Sequence, residues 1–170
     1  TGISPEMDDD LEQVEVIQAL LGEITALLQQ LSSATDQAVQ NVKNEPSAEQ
    51  KNTVSQLQTL VNTLKSKLGE LLSVSESLEG TKTSEITQQF VTKLQQLLGE
   101  DFAQLFGEDE GQITVENLGK LQGIMAKMMH DTENVKMRVT SEAIQEIVIP
   151  AMARRHEFQN EPESAVDSEV

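Results

Sequence analysis

Between Val14 and Val42 an aliphatic or small side chain returns every third and then every fourth residue: Val14, Ile17, Leu21, Ile24, Leu28, Leu31, Ala38 and Val42, with Thr35 as the polar member. Such a period is too long for the two-residue alternation of a strand, and it draws a continuous stripe along one α-helix. A heptad-like stripe is also the geometry of helices that lie side by side. The pattern predicts a helix over 9–43. Asp8, Asp9 and Asp10 stand at its start, where carboxylates suit the free N–H groups and the positive end of the helix dipole. Leu20 and Leu27 widen the stripe beyond a two-stranded seam.

Asn44-Glu45-Pro46 interrupts the stripe, because a proline disfavours helix in the residue before it. Ser47-Ala48-Glu49-Gln50 then reads as a capping box. The same alternation resumes with Val54, Leu57, Val61, Leu64, Leu68, Leu71 and Leu78, broken only by Ser75, and predicts a helix over 48–79 closed by Gly80. So short a connection favours an antiparallel hairpin. A third helix is expected over 83–106, capped by Thr83 and carrying Ile86, Phe90, Leu94, Leu97, Leu98, Phe102, Leu105 and Phe106. A fourth runs over 114–149 from Thr114, through Leu118, Leu121, Met125, Met128, Val135 and Val139. Its phase shifts at Ile144, Ile147 and Val148, and this shift with Asp131-Thr132 points to a kink or a break near 131, while Pro150 stops or bends the helix before a short last helix over 151–157.

These segments make the chain all-α: an elongated antiparallel helical bundle, or coiled-coil-like rod, of four to five helices. Residues 1–8 and the acidic tail 157–170 lack apolar patterning and are expected to be disordered. The helical domain spans 9–156. Gly22, Gly69 and Gly99 each sit inside a Leu-Gly-Glu triplet within a helix, and close approach of a neighbouring helix would account for them.

Charge narrows the classes of function. The formal net charge is −17, and residues 1–42 hold eight acids with no Lys or Arg. Such a chain repels nucleic-acid phosphate and anionic lipid. No run of apolar residues is long enough to span a membrane, and residues 1–10 lack the apolar core of a signal peptide. With no Cys, disulfides, thiolate chemistry and thiolate metal sites are excluded. Four Phe with no Trp or Tyr is a poor supply for a small-molecule pocket. No phosphate-binding loop, nucleophile elbow, zinc-helix motif or dinucleotide fingerprint is present. The acids lie in hydrophilic runs and not in the apolar pockets that tune catalytic carboxylates. No enzymatic activity and no cofactor are therefore expected.

Three local patterns point to binding. Phe102 to Leu118 resembles an EF-hand calcium loop: a helix with paired Phe leads in, Glu108, Asp109 and Glu110 precede Gly111, Ile113 follows, and a helix leaves. Counted from Gly111, the first ligand position falls on Phe106 and the bidentate position on Asn117, with Glu116 one residue early. The resemblance implies metal ligation by Glu108, Asp109, Glu110 and Glu116. Met125, Met128, Met129, Met137 and Met152 cluster in one third of the chain, and flexible thioethers suit either a partner groove, with Met125, Met128, Met129 and Met137 as its candidates, or a core. The final Ser168-Glu169-Val170 resembles a ligand of PDZ domains, which implies burial of Val170 by a partner. His130 and Glu133 offer one edge of a metal site without a third ligand.

Together these features predict a non-enzymatic structural or protein-interaction protein acting through amphipathic helix seams, on a protein partner or on itself. Its acidic, Gln-, Ser- and Thr-rich composition is similar to that of secretion-apparatus components, their chaperones and oligomeric scaffolds. The alternative is a calcium-responsive regulatory module built on 107–117.

Overall fold

A computed structural model describes residues 5–44, 47–101 and 114–156. These are 95% helical and contain no strand. Four helices follow one another: α1 (Pro5–Asn44), α2 (Ser47–Glu76), α3 (Lys82–Gln96) and α4 (Val115–Ala143). A π-helical turn, Leu97–Asp101, extends α3. Another, Ile144–Val148, extends α4 and leads into α-helical residues 149–156.

Each helix has two neighbours. α1 packs on α2 and α4, and α3 packs on the other side of the same two helices. Cross-helix contacts give the directions. Lys67 meets Glu23, Gln122 meets Asp36, Lys93 meets Asp131, and Thr83 meets Glu146. Each neighbouring pair is antiparallel, so the bundle runs up, down, up, down. At 1.5 Å per residue α1 is about 60 Å long, which makes the bundle a rod.

The core is the sum of the seams. Ile17, Leu21, Ile24, Leu28 and Leu31 of α1 face Leu57, Val61, Leu64, Leu68 and Leu71 of α2, and all are closed to solvent. Burying one such side chain stabilises by roughly 1.5–3 kcal/mol. Thr35 and Ser75 hold the seam positions assigned to them and are buried. Their hydroxyls donate to carbonyls of their own helices, Thr35 to Leu31 at 2.6 Å and Ser75 to Leu72 at 2.8 Å. A buried hydroxyl bonded in this way avoids the desolvation penalty of an unmade bond.

Several boundaries differ from the sequence pattern. α1 begins at Pro5, inside the stretch expected to be disordered, and a proline is well tolerated in a helix's first turn because the N–H there has no partner. α2 ends at Glu76 and tightens into bonds three residues apart before Gly80, whose φ of 95° is the left-handed conformation that glycine adopts freely. Thr81, two residues before the expected cap, is the N-cap of α3 and accepts from Ser84 N at 3.0 Å. Thr83 is buried instead. α4 passes through Asp131 without a break, because Thr132 takes a seam position and returns its hydroxyl to the Met128 carbonyl at 2.7 Å. The 102–106 end of the third expected helix, residues 1–4 and the tail 157–170 lie outside the described residues.

The phase shift near 144 has a physical reason. Continued unbroken from Leu118, Leu121, Met125, Met128, Thr132, Val135 and Val139, the stripe reaches Glu142, Glu146, Ile149 and Ala153. The buried residues are Ala143, Ile147 and Ala151. The π turn takes up the extra residue, places Ile147 in the core and swings Glu146 to the side. Ile149 N–H already reaches back five residues to Ile144, so the widened ladder accommodates Pro150 and the helix continues to 156.

Glycines 22 and 69 are exposed, and a Cβ at either would meet nothing within 4 Å. Close helix approach does not explain them. Gly22→Ala and Gly69→Ala are each expected to stabilise by about 1 kcal/mol, the difference in helix propensity, read as a higher urea midpoint. A lower midpoint would show that this surface is not open.

Candidate functional site

The methionines separate on folding. Met125 and Met128 close the core between α4 and its neighbours, Met129 packs partly against it, and Met137 is 71% exposed on the outer surface. They do not form one stripe. Glu116 lies in the first turn of α4, its exposed carboxylate 3.9 Å from Lys120 Nζ. That helix is capped by Thr114, whose hydroxyl accepts from Asn117 N at 3.1 Å. Glu108, Asp109, Glu110 and Val170 lie outside the described residues. His130 meets Asn134 across 3.2 Å, while Glu133 turns to Lys136 at 3.6 Å. No group of three potential ligands for a metal ion forms among the described residues.

Polar groups do converge at one end of the bundle, where Glu146 reaches the start of α3. Its carboxylate accepts from Lys82 N at 2.9 Å, Thr83 N at 3.2 Å and the Thr83 hydroxyl at 3.3 Å. Thr81 takes Ser84 N, and Ser84 donates its own hydroxyl to the Ser75 carbonyl at 2.5 Å. The first three N–H groups of α3 are thus satisfied, two of them by a residue on another helix. Lys93 and Asp131, 3.0 Å apart, tie the same two helices further along. Glu146 and the Ser84 hydroxyl tie α3 to its neighbours, while Thr81 caps α3 itself.

Among the described residues, open depressions lie along the outer groove between α1 and α2. Near one end a depression of about 480 Å³ has Val16, Leu20 and Val74 in its floor, with Val16 41% exposed. Its rim carries Lys67, whose Nζ is 3.2 Å from both Glu23 and Glu70. Hydrogen bonds to Glu70 and Glu23 hold this ammonium above the ordinary lysine pKa. Further along, a depression of about 490 Å³ is bordered by Ala26, Gln30, Ser33, Gln37, Gln56 and Leu60. Both are shallow and open, which suits contact with another surface better than enclosure of a small molecule.

The sequence held a signal for this groove. Leu20, Leu27 and Ala34 recur at intervals of seven beside the α1 seam, and Leu60, Lys67 and Val74 do the same on α2. The widened stripe was visible, but the neighbour along which it runs was not. Compared with protein-family models, curated proteins and solved structures, the chain matches none.

Proposed function

We propose that this protein is a non-enzymatic helical interaction protein that works through the outer surface of its rod, in the manner of a scaffold or a chaperone-like binder. The observation that carries the reading is where its contact surface lies. The apolar seams are spent on the bundle itself, their residues buried between neighbouring helices. Among the described residues a surface open to a partner is the α1/α2 groove, with exposed Val16 and partly buried Val74 beside the charged Glu23, Lys67 and Glu70 at one end and an uncharged border further along. Contact by an elongated, strongly acidic rod is non-covalent and reversible, and it needs no reactive centre. Among the described residues no helix is long and apolar enough to cross a membrane.

The test is retention of partners by the full chain, immobilised and exposed to an extract of its native source, with mass spectrometry of what stays bound. A discrete partner held in comparable molar amount is expected, and Val16→Glu is expected to release it, since a charge placed in the apolar floor must be desolvated on contact. A folded chain that neither retains a protein nor associates with itself overturns the proposal.

The calcium alternative rests on 107–117, of which the structure describes Asn117, Glu116 and their neighbours from Thr114 onward. Glu116 faces Lys120 and the backbone of Asn117 serves the helix cap. Calorimetric titration of the full chain with calcium at low salt is expected to give no binding heat. Saturable heat with one-to-one stoichiometry would revive that alternative.

A further inference from the structure

We infer that the middle of the α1/α2 face is the surface on which a second copy of this chain docks, an inference that rests on the interaction reading above. Charge placement carries it. From residue 24 to residue 42 the chain has one charged side chain, Asp36, and from residue 52 to residue 64 it has none. Asp36 lies on the other flank of α1, where it accepts from Gln122 Nε2 on α4 at 2.7 Å. The antiparallel pairing of α1 and α2 brings the two neutral stretches side by side. In a molecule of net charge −17 this leaves an uncharged, amide- and hydroxyl-rich face. Glu23, Lys67 and Glu70 bound it at one end, and Lys43 at the other.

Much of the other described surface is charged, apart from the exposed apolar Ile144, Ile149 and Met152 near the end of the last helix. The first turns of α1 hold Asp9, Asp10, Glu12 and Glu15, and α4 shows Glu116, Lys120, Lys127 and Glu133. Two copies approaching through their acidic ends bring like charges together, which costs several kcal/mol where the charges are juxtaposed. A basic partner is drawn to those acidic ends and gains nothing from the neutral face. A second copy presents an identical neutral face by construction. Gln and Asn amides both donate and accept, so the face complements itself across a two-fold axis. Ala26, Ser33 and Leu60 leave room for close approach at its centre. The face is about 28 Å long and two helices, or about 20 Å, wide. Two such footprints together cover about 1,100 Å², near the lower end of specific interfaces.

Sedimentation of the full chain across a wide concentration range, at low and at high salt, tests the inference. A monomer–dimer equilibrium that tightens as salt screens the net repulsion is expected. Gln30→Glu combined with Gln56→Glu puts four new carboxylates into the joint and is expected to weaken the dimer by more than about tenfold. Ser141→Glu, on exposed α4 surface, leaves it unchanged. Circular dichroism confirms that each variant keeps its helices. A chain that stays monomeric throughout overturns the inference. So does a dimer that ignores the paired glutamates, or one that salt dissolves, since pairing of acidic ends with the bases of α4 would behave that way. A monomer that still retains a protein partner on the column overturns the second copy alone and leaves the interaction reading standing.

Discussion

Met128→Lys is expected to unfold the bundle under conditions in which Met137→Lys leaves it intact. The two methionines lie on the same helix, yet Met128 is 0% exposed and Met137 is 71% exposed. Lysine at 128 must either carry its ammonium into a core of Leu, Ile and Val or give up its proton, and burial of an unpaired charge costs several kcal/mol. Loss of the methionine packing adds to this. The sum, about 5 kcal/mol or more, is comparable with the whole stability of an ordinary domain. Lysine at 137 stays in water, and its effect is expected within about 0.5 kcal/mol of zero. Met128→Leu, which nearly conserves volume, is expected to cost less than about 1.5 kcal/mol. Helical circular dichroism followed through a urea titration separates the three. If Met128→Lys melts like the parent, the seam of α4 is assigned to the wrong face.

Glu146→Ala is expected to destabilise by about 2–3 kcal/mol, a large effect for a residue that is only half-buried. The carboxylate serves two backbone N–H groups and the hydroxyl of the buried Thr83. Alanine leaves all three without this acceptor at the positive end of a helix dipole. Glutamine keeps an oxygen but loses the charge, so Glu146→Gln is expected to cost about half as much. Hydrogen exchange supplies the specific readout: the amides of Lys82 and Thr83 should exchange faster while those of the α1 and α2 seams change little. If protection at the start of α3 is the same in Glu146→Ala as in the parent, the cross-helix cap is not a stabilising contact.

How far the sequence reaches is visible in these two cases. The seams of α1 and α2 were legible residue by residue, Thr35 and Ser75 included, because an apolar period is a local property of the chain. Thr114 was legible as a cap because the helix that it opens follows directly. The cap of α3 was expected at Thr83, and it is Thr81. The sequence nearby offers two threonines, and the carboxylate that occupies Thr83 lies 63 residues away. The π turn of α4 was legible only as a change of phase, because whether a helix breaks or bulges depends on what its next residues must face. Met125 and Met128 suited either a partner groove or a core until the neighbours of α4 buried them.

What the sequence determined by itself is the helical period, and with it the all-α class, the order of the helices and most of the buried side chains. The tertiary structure alone decided which neighbour each stripe meets, that Glu146 caps α3, and that the uncharged stretches of α1 and α2 share one face. The physical reason is range. Periodicity is carried by residues three and four apart on one helix, whereas caps and shared faces arise between side chains that only the packed bundle brings together.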